Sequence, residues 1–428
     1  MSKRPKFQTP TGMHDILPES QPLFQRTYNV ASVIADFYNF NKIDTPIVES
    51  AELFSKGVGL NTDIVEKQMY TFRTKGGDYL TLRPEFTAAV VRAYIEHGMF
   101  NLPQPQKLYT YGPLFRMERP QAGRFRQFHQ IDFEVFGEAG AVIDAQIIQI
   151  SCNLLKELKF KNIIVEINSI GDNQCRPYYK KLLVNYLRSR ESSLCVDCRR
   201  RVKYNPLRVL DCKEEKCQPV KAQAPQLVDH LCNECKSHFR QVLEFLDEVE
   251  IPYRLNPYLV RGLDYYTKTV FEIFEDSEQG QKQGTLIGGG RFDGLVKLLG
   301  GPDTPACGAA AGVERIISFM EDRVKQEKTA GPAKKVFLAQ LSELAKRKSL
   351  KLFEEFRKAK VPIIESLGKD SLKSQLRLAD KAEVTYALIL GQKEALDDTI
   401  IIRDMKTGKQ DTVRFEKTVQ EIQKRLKK

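Results

Sequence analysis

Between Tyr109 and Gly137 the chain alternates apolar and polar residues at a period of two, on either side of a short polar break. On the first arm Leu114, Arg116 and Glu118 fall on one face, and Tyr109, Tyr111, Phe115 and Met117 on the other. On the second, His129, Ile131, Phe133 and Val135 share a face, opposite Phe128, Gln130, Asp132, Glu134 and Phe136. The break, RPQAGRFR, supplies Pro120 and Gly123 for a turn and Arg119, Arg124 and Arg126 as cations. This pattern predicts a long β-hairpin tipped by a mobile basic flap.

The flanking stretches change period. Ser20 and Pro22 mark a helix start, and Val30, Val33, Ile34, Phe37 and Tyr38 recur at helical spacing, which predicts a helix packed on the core by that stripe. KIDTPIVESAELF reads as a strand broken at Pro46. DYLTLRPEFTAAVVRAYIE reads as a strand that gives way at Pro84 to a helix, with Thr87 near its N-terminus and Val91, Tyr94 and Ile95 as its stripe. AVIDAQIIQISCNLLKEL has helical periodicity, and FKNIIVEINSIGD is a strand ending at Gly171 and Asp172. Residues 173–250 are polar, helix-rich and cysteine-rich, as an insertion between two halves of one sheet domain would be. PACGAAAG puts small residues on a strand that leads into a helix with Arg315 in its first turns. EDRVKQEKTAGPAKK is a polar linker. Beyond it the strands KVFLAQL, VPIIES, YALILG, TIIIRD and QDTVRF, with helices near 346–359 and 371–382 and a basic C-terminal helix, make a small α/β domain.

Composition sharpens this picture at two points. Residues 332–428 hold 23 Lys and Arg against 14 Asp and Glu, so nine of the twelve net positive charges fall in the last quarter. That asymmetry favours a polyanionic partner for the C-terminal domain. No apolar run is long enough to span a bilayer, and the start lacks a signal peptide's apolar segment, so a soluble cytoplasmic protein is expected. The cysteines are the second point. Seven of nine lie in the insertion, six of them spaced Cys195-x2-Cys198, Cys212-x4-Cys217 and Cys232-x2-Cys235. Paired CxxC knuckles in a reducing compartment point to a structural zinc rather than disulfides. The expected ligands are Cys195, Cys198, Cys232 and Cys235, with Cys212 and Cys217 as substitutes, while Cys152, Cys175 and Cys307 read as small buried residues.

Chemistry concentrates on the hairpin. Strands with aromatic neighbours this dense are usually buried on both faces, so their Arg, Gln and Glu need partners. A guanidinium, a stacking ring and a carboxylate on one face suit an anionic aromatic ligand such as ATP. The glycines of LIGGGRFDGL fit neither a Walker P-loop nor the dinucleotide G-x-G-x-x-G spacing, which argues against a P-loop NTPase and a Rossmann dehydrogenase.

FRMER, the arginine-rich turn and RQFHQIDFEVFG resemble motif 2 of the class II aminoacyl-tRNA synthetases, in the form found in histidyl-tRNA synthetases. Further likenesses run the length of the chain. TPTGMHDILPE resembles the family's start and KIDTPIVESAELF its motif 1; RGLDYY followed by TKTVFE, and LIGGGRFDGL, resemble its two histidine-specific signatures. PACGAAAGVERIISFMED resembles motif 3, with Ala310 where the general pattern has glycine. The resemblance implies an α+β fold: an antiparallel-sheet catalytic core in two parts (1–172 and 251–325), a helical insertion domain (173–250) and an α/β anticodon-binding domain (333–428), assembled as a homodimer. It implies histidine–tRNA ligase activity, with ATP, Mg2+, L-histidine and tRNA-His as reactants and partners. Arg116 and Arg261 would be catalytic, at the α-phosphate. Glu118, Arg124, Arg126, Phe128 and Arg315 would join Arg116 in binding ATP. Glu85, Phe86, Thr87, Gln130, Glu134, Tyr265 and Tyr266 would join Arg116 and Arg261 around histidine. Two rivals share the resemblance: the synthetase-like regulatory subunit of ATP phosphoribosyltransferase, and a module that only senses uncharged tRNA.

Overall fold

A computed structural model describes residues 7–60, 62–120, 123–276, 284–324, 336–366 and 371–427. The chain divides into two compact units, Met1–Arg323 and Val324–Lys428. Most of the polar linker lies outside the described residues.

The first unit contains β1 (Asn41–Lys42), β2 (Val48–Ser50), β3 (Tyr70–Arg73), β4 (Tyr79–Leu82), β5 (Gln106–Phe115), β6 (Gln127–Phe136), β7 (Ile163–Ser169), β8 (Tyr253–Leu255), β9 (Thr267–Glu275), β10 (Ile287–Arg291) and β11 (Ala306–Gly312). Eight of them form one sheet in the order β1-β5-β6-β11-β10-β9-β7-β8, while β2, β4 and β3 form a small second sheet. Only the outermost pairs of the large sheet, β1 with β5 and β7 with β8, are parallel; its inner pairs are antiparallel. Pro46 therefore divides the KIDTPIVES stretch between two sheets.

The predicted hairpin is β5 and β6, in register from Gln106 opposite Phe136 to Phe115 opposite Gln127. The backbone of Arg116 adds one more bond, to the Arg126 carbonyl at 2.9 Å. Two residues of the flap, 121 and 122, lie outside the described residues. The period of two sorts β6 as the sequence requires. Ile131, Phe133 and Val135 enter a core shared with the helices Gln21–Phe37, Ala141–Glu157 and Asn233–Glu248. The opposite face carries the polar set toward a pocket, beyond which Leu108, Leu114 and Phe136 pack with the helices Ala51–Val58 and Thr87–Glu96.

Two elements depart from expectation. The helix Gln21–Phe37 buries Phe24, Thr27, Ala31, Ile34 and Ala35, whereas Val33 and Phe37 are 68% and 77% exposed. The helix is apolar on more than one face, and the small residues Ala31 and Ala35, not counted in the large-side-chain stripe, are the ones that allow close packing. Helix Asn233–Glu248, within the cysteine-rich stretch, places Phe239, Val242 and Leu246 in the same core as Ile147 and Ile150, so from Asn233 onward the chain has returned to the sheet.

The second unit holds β12 (Val336–Gln340), β13 (Ile363–Glu365), β14 (Tyr386–Leu390), β15 (Thr399–Asp404) and β16 (Gln410–Arg414), in the order β13-β12-β14-β15-β16. Its first three strands in that order are parallel and its last three antiparallel. Helices Glu343–Lys358, Leu372–Lys381 and Thr418–Leu426, close to the boundaries read from periodicity, and the short helix Gln392–Leu396 pack with it.

Candidate active site

A cavity of about 590 Å³ opens on the polar face of β6. Side chains from β5's end, β6, β10, β11, the Arg261–Tyr266 loop and the first turn of Thr87–Glu96 line it. The structure brings together Glu85, Thr87, Arg116, Glu118, Arg124, Phe128, Gln130, Glu134, Arg261, Tyr265, Tyr266 and Arg315. Two predicted residues stand elsewhere. Phe86 is fully buried in the core under the Arg83 guanidinium, 4.5 Å from its ring, because the strand-to-helix turn points Glu85 and Thr87 into the cavity and the residue between them away. Arg126 does not line the cavity: its Nε donates to the Glu118 carbonyl at 3.2 Å and its backbone N to the Gly12 carbonyl at 2.7 Å. It thus fastens the base of the flap to the N-terminal segment.

One end of the cavity is rich in buried acids. Thr87 Oγ1 donates to Glu134 Oε1 at 2.6 Å, the Ala88 N–H to Glu85 Oε1 at 2.8 Å, and Tyr265 Oη to Glu85 Oε2 at 3.4 Å. Glu134 Oε2 and Asp132 Oδ1 are buried with no hydrogen-bond partner among the described residues. Burial pushes the Glu134 and Asp132 carboxyls well above the ordinary carboxylate range, and neighbouring acids add to it: Asp132 and Glu85 for Glu134, Glu85 for Asp132. Burial raises Glu85 as well. Asp132 was legible in the sequence, on the same strand face as Gln130 and Glu134, but no motif pointed to it.

Glycine makes room for these groups. Gly308 lies directly across the ladder from Glu134, and a Cβ there would sit 1.7 Å from Glu134 Oε2. Gln130 has Gly112 on one neighbouring strand, where a Cβ would stand 3.0 Å from Arg83 Nη2, and Gly312 on the other, where a Cβ would meet nothing nearer than 3.9 Å.

The cations are braced rather than free. Arg116 donates from Nε to the Pro84 carbonyl at 2.9 Å, and its guanidinium lies 5.1 Å from the Phe128 ring centroid. Arg261 donates from Nη1 to Glu272 Oε1 at 2.6 Å, and Glu272 Oε2 accepts the Thr285 hydroxyl at 2.8 Å. Arg261 Nε has no partner among the described residues. A Cβ on Gly288 would stand 2.5 Å from both terminal nitrogens of Arg261, so only glycine admits the guanidinium there. Arg315 bonds the Thr285 carbonyl, and Arg124 reaches Glu118 at 3.5 Å. Glu272, Glu314 and Thr285 escaped the sequence reading. Glu314 clamps the motif 3 helix to β6 by accepting the His129 backbone N–H at 2.7 Å and pairing with its Nδ1 at 2.6 Å.

The cysteine-rich stretch forms part of the cavity wall. Arg201, Arg208, Asp211, Cys212, Lys213 and Glu214 line it, and Arg208 and Arg201 pair with Asp63 at 2.7 and 3.2 Å. The predicted zinc ligands do not come together as one set. Cys195 and Cys198 group with Cys212 and Cys217, whereas Cys232 and Cys235 group with Cys175 and Asp172. Cys212 and Cys217 follow the first knuckle on a short loop, while the second begins the helix that returns to the core, so the chain path separates the two pairs.

A mainly antiparallel sheet flooring a cavity lined by two braced arginines and a stacking ring, followed by a basic α/β unit, is the architecture of a class II aminoacyl-tRNA synthetase. The family model described as "Histidyl-tRNA synthetase" matches residues 12–172 and 201–316, and "Anticodon binding domain" matches 335–425. The chain is 44% identical to the histidine–tRNA ligase of Dehalococcoides mccartyi over 98% of its own length and 100% of that protein's. It is 45% identical to that of Thermodesulfovibrio yellowstonii over 95% of each. The crystal structure of apo S. aureus histidyl-tRNA synthetase superposes with a TM-score of 0.79 at 33% identity, covering 97% of this chain and 99% of that one. The chain belongs to the histidyl-tRNA synthetase family.

Proposed function

We propose that this chain is a histidine–tRNA ligase whose cavity binds histidine at the acid-rich end and ATP along Phe128 and the arginines. In the first step a histidine carboxylate oxygen attacks the α-phosphorus of ATP and the bond to pyrophosphate breaks. In the second the histidyl group passes from AMP to the terminal adenosine of tRNA-His. Arg116 and Arg261 would stabilise the charge that develops on the α-phosphate, where fixed donors need no reorganisation. Phe128 would carry the adenine, and Arg124 and Arg315 the polyphosphate, with magnesium arriving as part of the ATP complex.

The observation that carries this reading is the buried oxygen of Glu134 with no partner, beside Tyr266 and Thr87. A buried acceptor left open is costly in the free protein, so a ligand donor there is favoured. The imidazole N–H supplies one. Glu85, Thr87 and Gln130 would take the α-amino group. An amino acid without ring nitrogens would leave Glu134 and Tyr266 unmatched, which gives selectivity without an editing domain.

The second unit's basicity supports contacts with the tRNA backbone. Exposed apolar side chains on the helix Gln21–Phe37 and the small sheet, namely Val33, Phe37, Val48, Phe72 and Tyr79, support assembly as a homodimer. No helix among the described residues is long and apolar enough to cross a membrane. Nine free cysteines support a cytoplasmic setting.

The test is histidine-dependent exchange of labelled pyrophosphate into ATP, without tRNA, against every proteinogenic amino acid. Exchange with histidine alone is expected. None with any amino acid, in folded protein, would leave the regulatory or tRNA-sensing reading.

A further inference from the structure

We infer that the chain holds two separate mononuclear zinc ions, one bound by Cys195, Cys198, Cys212 and Cys217 and the other by Asp172, Cys175, Cys232 and Cys235. Within each group one ligand atom per residue lies within 4.8 Å of all the others. Cys195 Sγ is 3.9 Å from Cys212 Sγ, Cys175 Sγ is 3.9 Å from Cys235 Sγ, and Cys232 Sγ is 3.9 Å from Asp172 Oδ1. A tetrahedral ion with metal–sulfur bonds of about 2.3 Å sets its sulfurs about 3.8 Å apart, close to the 3.9 Å of the Cys195–Cys212 and Cys175–Cys235 pairs. A disulfide would need about 2.05 Å, and every cysteine is free.

The two CxxC knuckles are built alike. Cys195 and Cys232 each cap a helix, with φ/ψ of −67°/165° and −65°/164°. Each sulfur accepts the backbone N–H of the second cysteine of its pair, at 3.4 and 3.5 Å. Cys217 Sγ accepts the Cys195 N–H at 3.2 Å and Cys175 Sγ the Asp172 N–H at 3.4 Å, so each group has a second sulfur held by the backbone. Donated N–H bonds of this kind stabilise thiolates, and a buried cluster of thiolates is stable only around a cation. Thiolate-rich tetrahedral sets select zinc among the ions of a reducing compartment. Packing alone asks for none of this order.

The two ions would have different tasks. The first fixes the Asp211–Glu214 wall of the cavity and the helix carrying Arg201. The second closes the stretch on itself, joining the turn after β7 to the start of helix Asn233–Glu248. Next to it Arg176 Nη2 donates to the Tyr266 carbonyl at 2.6 Å, so this clip lies one residue from a support of the proposed histidine pocket.

Metal analysis of the full-length protein, purified without a metal-binding tag, is the test. Two zinc ions per chain are expected, with one retained by Cys217→Ser, one by Cys235→Ser and none by the double variant. Loss of the same single ion in both single variants would mean one site shared by the knuckles and would overturn the proposal. If a variant does not fold, cobalt titration of the reduced, metal-stripped wild type decides. Saturation of the thiolate-to-cobalt absorption at two equivalents supports two sites; saturation at one, or no such absorption, overturns them.

Discussion

Two clusters of buried charge in the first unit use the same residue types to opposite ends. Arg291 and Asp144 are both fully buried, and every nitrogen of the guanidinium is bonded: Nε to Asp144 at 3.1 Å, Nη1 to the Glu138 carbonyl and Asp293 at 3.0 Å, and Nη2 to the Gly140 carbonyl at 3.1 Å. His238 Nε2, from helix Asn233–Glu248, lies 3.4 Å from Asp144 but has no hydrogen-bond partner of its own among the described residues, so it is the Arg291–Asp144 pair that is saturated. In the cavity, by contrast, Glu134, Asp132 and Arg261 each keep one buried polar atom without a partner among the described residues. A cluster that is saturated holds elements together, whereas one that is incomplete waits for a ligand. The acid–base response follows. Burial raises Asp144 too, yet the nearby His238 and the Arg291 charge outweigh that and hold it below the ordinary range, while Glu134 and Asp132 are driven up.

The difference can be broken from either side. Asp144→Ala leaves the buried Arg291 with only the half-buried Asp293 carboxylate as counter-charge and strips the bonds of Nε, which should cost about 3–5 kcal/mol of stability. Urea unfolding measures it, and Asp144→Leu combined with Arg291→Met should recover much of the loss. A single variant as stable as wild type would mean that the pair is not structural. Arg261→Ala acts in the other direction. Pyrophosphate exchange should fall about 100- to 1,000-fold with the unfolding midpoint little changed and tRNA binding retained. Ordinary exchange in that variant would remove Arg261 from the α-phosphate.

Glu134→Gln sharpens the comparison at a smaller scale. The amide keeps the shape and one acceptor but loses the charge, so the KM for histidine should rise about 10- to 100-fold while that for ATP stays within a few-fold. Equal losses for both substrates in exchange kinetics would take Glu134 out of the imidazole pocket.

How much of this was legible depends on range. The hairpin, the polar face of β6 and the strand–helix turn at Pro84 rest on local period and local stereochemistry, and they were read almost to the residue. The saturated cluster was not: Arg291 and Asp144 are 147 residues apart, and nothing near either one announces the other. Glu272, which braces Arg261 from 11 residues along the chain, carries no local mark that joins the two. The cysteines failed for the same reason, since spacing identifies a knuckle but not which second pair the chain path brings to it. Phe86 was misplaced because its neighbours Glu85 and Thr87 both point into the cavity, and a helix start cannot aim three successive side chains one way.

The weakest effect, and the one that tests the comparison most directly, is its pH dependence. For Glu134 and Asp132 the folded value lies above the unfolded one, so the folded protein holds protons that the unfolded chain releases. Their contribution is present below the ordinary carboxylate range and is lost as pH rises through the raised values. Asp144 has the opposite sign: its contribution is present above the ordinary range and is lost as pH falls through the lowered value. Thermal unfolding of the ligand-free protein should therefore drift downward as pH rises above the ordinary carboxylate range, and Glu134→Gln should flatten the drift. Histidine carries a cationic ammonium into the acid-rich end, which favours the ionised carboxylates. Binding should then release protons, so the stabilisation by histidine should grow with pH over the same interval. Parallel drifts in wild type and Glu134→Gln, with or without histidine, would show that the carboxyl is ionised in the free protein and that the cavity is no less saturated than the Arg291 cluster.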